Sequence, residues 1–138
     1  MKRFLGVLVA CALALVARAP VRADEDAGLP HATMTCDHAD APGRVRCEAE
    51  ARVGAGESIA WGDVTIVRTP AFADALRGRI GPHDATTREA GAWRWAFALV
   101  ARRKGSGELE GRVRLVVCRD KTCGPRELPV VAHVGVGD

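Results

Sequence analysis

The residues best suited to chemistry in this sequence are cysteines, and their spacing limits what that chemistry is. Cys118 and Cys123 are separated by Arg119-Asp120-Lys121-Thr122 and followed by Gly124-Pro125, with apolar strand-like runs on both sides. A loop of four residues allows a disulfide across the mouth of a hairpin. Arg119, Lys121 and Arg126 outnumber Asp120 and Glu127 by one, and nearby cations stabilise a thiolate. The thiolate is the species that attacks or leaves in disulfide exchange, so an exposed bridge here is suited to accepting or passing electrons. The competing reading is a staple tying two strands. Spacing and charge alone weigh toward the staple, because most bridges in exported domains are structural. Both readings stand at this point.

The remaining cysteines agree with export. Residues 1–23 have the layout of a removable signal: Lys2 and Arg3, an apolar run from Phe4 to Val16, then small residues at Val21-Arg22-Ala23. The run is too short for a permanent membrane helix, and the rest of the sequence has no second apolar stretch of spanning length. Leu8-Val9-Ala10-Cys11 has the shape of a lipoprotein processing site, but Cys11 lies in mid-run and is read as part of the signal core. Cys36, Cys47, Cys118 and Cys123 are left. An even number in an exported domain of this size implies two disulfides, and of the three possible pairings spacing favours Cys36–Cys47 with Cys118–Cys123. A periplasmic or secreted location is expected, with lipid anchoring through Cys11 as the alternative.

Removing the signal also changes the charge. The whole chain is +3, but Lys2, Arg3, Arg18 and Arg22 leave with no acid, so the mature chain has sixteen basic against seventeen acidic residues. A general polyanion binder needs a basic excess, so nucleic acid is not an expected partner.

The elements that must position the cysteines read as strands. Residues 24–31 form an acidic, turn-rich arm, and residues 32–138 are expected to form one domain. Arg44 to Val53 alternates Val45, Cys47, Ala49, Ala51 and Val53 against charged residues, the pattern of a half-buried strand. Asp40-Ala41-Pro42-Gly43 signals a turn, which makes residues 32–38 the partner strand and places Cys36 and Cys47 at equal distances from the turn. They would face each other across the ladder as a structural bridge.

Further strands are expected over Ser58–Val67, with a phase shift at Gly62-Asp63, and over Trp93–Ala101, Leu109–Cys118 and Glu127–Val136. Lys104 to Gly107 reads as a tight hairpin turn. In Ala71–Arg79, Phe72, Leu76 and Ile80 fit one side of a short helical turn. Five or more short strands joined by Gly and Pro turns indicate an all-β, antiparallel, immunoglobulin-like sandwich.

In that setting the segment Cys118-x4-Cys123-x-Pro125, entered from an apolar strand and followed by Leu128 to Val134, resembles the disulfide-bearing hairpin of the periplasmic N-terminal domain of the thiol:disulfide interchange protein DsbD. The close match covers about the last quarter of the sequence. The resemblance implies an immunoglobulin-like fold and a redox pair at Cys118 and Cys123. It also implies reducing equivalents from a thioredoxin-like or membrane electron-donor protein, passed on to periplasmic thiol proteins. The membrane-spanning and thioredoxin-like domains of the full family protein have no counterpart in these 138 residues. That family shields its disulfide with a mobile aromatic loop. Here Thr69 to Asp74 offers only Phe72, and the sequence has no tyrosine, which makes Phe72 the candidate shielding residue.

Other constellations carry less. His31, Met34, Cys36 and His38 are soft ligands at alternating spacing, but Cys36 bridged to Cys47 cannot bind metal, so no metal site and no cofactor are expected. Trp93 and Trp95 share a strand face with Phe97 and read as core. Gly105-x-Gly107 precedes no helix pattern and is no phosphate cradle. Asp63, Asp74 and Asp84 read as turn and capping residues. Two functions remain from sequence: a thiol–disulfide exchange module, or a stapled sandwich that binds an envelope component without chemistry.

Overall fold

A computed structural model describes residues 28–138, which form a two-layer antiparallel sandwich. The strands are β1 (His31–Cys36), β2 (Gly43–Arg52), β3 (Glu57–Arg68), β4 (Ala73–Ala75), β5 (Arg79–Ile80), β6 (Ala85–Arg88), β7 (Ala92–Ala101), β8 (Gly105–Arg119) and β9 (Thr122–Val136). One sheet runs β1-β2-β7-β4, with β6 also pairing β7; the other runs β5-β3-β8-β9. Ala39 ties the layers at one end, donating its N–H to Gly135 and accepting from Gly137. The expected signal segment lies outside the described residues.

The alternation of β2, β7, β8 and β9 sets which side chains enter the core. Val45, Cys47, Ala49 and Ala51 from β2 and Val113, Leu115 and Val117 from β8 are all buried in one core cluster between the layers. Trp95 is the largest fully buried side chain, as its alternation predicts. It seats against β3 because Gly62 has no side chain: a Cβ there would stand 3.0 Å from both Trp95 Cζ2 and Leu115 Cδ2. Truncating such an aromatic typically costs about 3–5 kcal/mol.

Two connections differ from the expectations. Lys104–Gly107 closes no hairpin, because β7 and β8 belong to different sheets and the chain turns a corner between layers. Gly105 and Gly107 let Pro70 and Phe72 lie flat on the start of β8, where a Cβ on Gly105 would approach Phe72 Cδ1 to 2.6 Å. Ala71–Arg79 is not helical. Ala73–Ala75 pairs β7, Ile80 pairs Val64 of β3, and Leu76 between them is exposed, so this segment also crosses from one sheet to the other. The one helical turn among the described residues is Pro82–Asp84, where the Asp84 carboxylate accepts the Gly81 N–H at 2.8 Å.

Candidate functional site

Cys118 and Cys123 sit directly opposite each other at the tip of the β8–β9 hairpin and are joined by a disulfide. Only Asp120 and Lys121 lie in the loop, Asp120 in the left-handed region at φ 55°. Inward and outward residues alternate along β8. Val113, Leu115 and Val117 are buried, so Cys118 takes the opposite, outer face and is half-buried, while Cys123 is exposed. The bond therefore stands on the solvent side of the sheet.

The registers of β3, β8 and β9 arrange the outer face in rows beneath the bond. Ser58, Cys118 and Cys123 form the first; Trp61, Val116 and Pro125 the second; Asp63, Arg114 and Glu127 the third. Two shallow hollows flank the bond. One, about 470 Å³, is lined by Glu57, Arg119, Asp120, Thr122, Cys123 and Arg126. The other, about 410 Å³, lies over Trp61, Val116 and Pro125 and is bounded by Arg114, Arg126 and Glu127. Arg119 reaches Glu57 at 3.4 Å and Arg112 reaches Glu127 at 3.0 Å. Arg126 spends one N–H on the Pro125 carbonyl and has no carboxylate partner among the described residues.

The third row contains what the sequence reading missed. Asp63 is no turn residue. Its side chain is fully buried, and it accepts Arg114 Nε at 2.8 Å, Arg114 Nη2 at 2.5 Å and Arg79 Nε at 2.5 Å. Burial pushes its carboxyl up, but hydrogen bonds and charge from Arg114 and Arg79 outweigh that and hold it below the ordinary carboxylate range. Both guanidiniums also lie over the Trp61 ring, at 5.8 Å for Arg114 and 6.0 Å for Arg79. The bulge between Ile59 and Trp61 turns Trp61 outward to meet them; the phase shift falls at Ala60, two residues earlier than Gly62-Asp63 suggested. The signal that marked Asp63 was its place in a strand beside a tryptophan. Its partners are 16 and 51 residues away and could not be found by spacing.

The other candidate residues lie elsewhere. Cys36 and Cys47 pair in register and are bonded, with Cys47 in the core. Phe72 does not cover the Cys118–Cys123 bond. It is buried against Gly105, thirteen residues down β8 from Cys118, which at the usual rise is roughly 40 Å. Met34 is buried, and no three His, Cys, Asp or Glu side chains gather as a metal site among the described residues. Trp93 and Trp95 are both in the core.

No protein-family model and no curated protein matches this chain. Among solved structures it is similar to BslA, described as a bacterial hydrophobin, at 10% identity and a TM-score of 0.42, over 80% of this chain and 97% of that one. A likeness at that level assigns no activity.

Proposed function

We propose that this domain is an exported thiol–disulfide exchange module whose working bond is Cys118–Cys123. The observation that carries the reading is the contrast between the two bridges. Cys36–Cys47 has one sulfur-bearing side chain in the core, whereas Cys118–Cys123 stands on an outer face with Cys123 exposed. An attacking thiolate needs a path along the S–S axis and a leaving thiolate that its surroundings stabilise. Both hollows and the cations Arg119, Lys121 and Arg126 support those needs.

The exchange balances without a cofactor. A donor thiolate attacks one sulfur of the bridge, the S–S bond breaks, a mixed disulfide forms, and the displaced cysteine leaves as a thiolate that takes up a proton. A second donor thiol then resolves the mixed disulfide. The donor becomes oxidised, and Cys118 and Cys123 become a dithiol. Run in reverse, the dithiol reduces a protein disulfide. A thioredoxin-like or membrane electron donor and periplasmic thiol proteins are the partners that the resemblance to the DsbD N-terminal domain suggests. No helix among the described residues is long and apolar enough to cross a membrane.

Trapping tests this reading. The Cys118→Ser and Cys123→Ser variants, each with one free thiol, are mixed with an oxidised thioredoxin-like protein. A mixed disulfide with one variant supports exchange and identifies the attacking residue. Failure of both variants, with a wild-type bond that resists dithiothreitol, leaves a stapled binding sandwich.

A further inference from the structure

We infer that the thiols this site exchanges with are flanked by acidic and apolar residues, the outer face of the β3–β8–β9 sheet selecting them by charge. The inference rests on the exchange reading and names its substrate class. Beside the bond, the Trp61–Val116–Pro125 row gives an apolar floor to a hollow that is open to solvent. Around it the charges do not cancel. Arg119 is met by Glu57, and Arg112 by Glu127. Asp120 and Lys121 are neighbours in the loop and offset each other. Arg79 and Arg114 share the single carboxylate of Asp63, and Arg126 has none among the described residues. Two positive charges are left over around this hollow, Arg114 with Arg79 on the outer face and Arg126 bordering it from the position paired with inward-facing Leu115.

Their placement suits a chain bound through a cysteine. The Arg126 guanidinium folds back along β9, with Nη1 3.3 Å from the place a Cβ on Gly124 would take, and the residue borders both hollows. Arg114 lies four residues below Cys118 on the same face, roughly 13 Å at strand rise, and its partner pins it over Trp61. A peptide whose thiolate attacks the bridge would place its flanking residues over these two groups. An apolar neighbour would cover Val116 and Pro125, and a carboxylate beyond it would meet Arg126 or Arg114. Its two hydrogen bonds to Asp63 make Arg114 preorganised, which lowers the entropy cost of the contact.

The test uses the oxidised protein, two reduced synthetic peptides, Glu-Leu-Cys-Leu-Glu and Lys-Leu-Cys-Leu-Lys, and dithiothreitol as a neutral thiol. Each peptide's rate on the protein is divided by its rate on hydroxyethyl disulfide, which removes the effect of the flanking charges on the thiol itself. The acidic peptide should react about tenfold faster than the basic one at about 0.01 M salt, the gap narrowing to about threefold near 0.15 M as screening shortens the reach of the charges. Arg126→Gln should cut the low-salt ratio of acidic to basic peptide at least by half, and because both peptides meet the same bond, a general change in its reactivity divides out of that ratio. Equal normalised rates, or a faster basic peptide, overturn the charge selection while leaving exchange intact. A bond inert to dithiothreitol and to both peptides overturns the exchange reading, and this inference with it.

Discussion

Replacing Asp63 by asparagine keeps the shape of the side chain and removes its charge, which isolates what the carboxylate does between Arg79 and Arg114. The side chain is wholly buried and accepts three hydrogen bonds from the two guanidiniums. Breaking a buried ion pair from one side commonly costs about 3–5 kcal/mol, because the other charge is left without its partner. Here the arginines are 55% and 45% exposed and can turn toward water, so the expected loss is smaller, about 2–3 kcal/mol. For a domain near this size that lowers Tm by roughly 8–20 °C.

The assay is urea unfolding followed by tryptophan fluorescence from pH 7 downward. A carboxylate depressed in the folded state contributes stability that is present above its unfolded value of about 3.9 and lost as pH falls through its folded value. The gap between wild type and Asp63→Asn should therefore be full at neutral pH and close below about pH 4. A gap under about 0.5 kcal/mol at pH 7, where most surface substitutions fall, or one that persists unchanged at low pH, refutes the reasoning.

The remaining predictions concern the two bridges and Phe72. Replacing Cys36 and Cys47 together by alanine should cost on the order of 2–3 kcal/mol by loop closure, read as a lower Tm, while dithiothreitol still reduces the other bridge at the wild-type rate. Phe72→Ala should lose about 3–5 kcal/mol of stability in urea and leave the rate of Cys118–Cys123 reduction unchanged, since the ring packs on Gly105 and not on the bond. An accelerated reduction would restore Phe72 as a shield.

What was legible in the sequence follows from locality. The Asp40–Gly43 turn fixed the register of the first hairpin, so two cysteines equidistant from it had to meet. The strict alternation of β2 and β8 assigned Cys47 to the core, and the same period in β8 puts Cys118 on the outer face. The corner between β7 and β8 was not legible, because Gly105-x-Gly107 looks the same whether the chain returns within one sheet or crosses to the other. What decides is the packing of Phe72 and Pro70, more than thirty residues away. The outward turn of Trp61 depended on one extra residue, Ala60, in a ladder whose partner strand lies far along the chain. The Asp63 cluster needed that same pairing, together with β5, before its arginines could be identified.

The most direct test of the exchange reading is the reduction potential of the Cys118–Cys123 bond, measured in glutathione or dithiothreitol redox buffers with the Cys36→Ala/Cys47→Ala variant so that a single couple is observed. Structural bridges in exported proteins lie below about −300 mV, whereas exchange-active ones lie above it, so a value between about −270 and −120 mV is expected. A value below about −300 mV would contradict the account and leave the bond a staple.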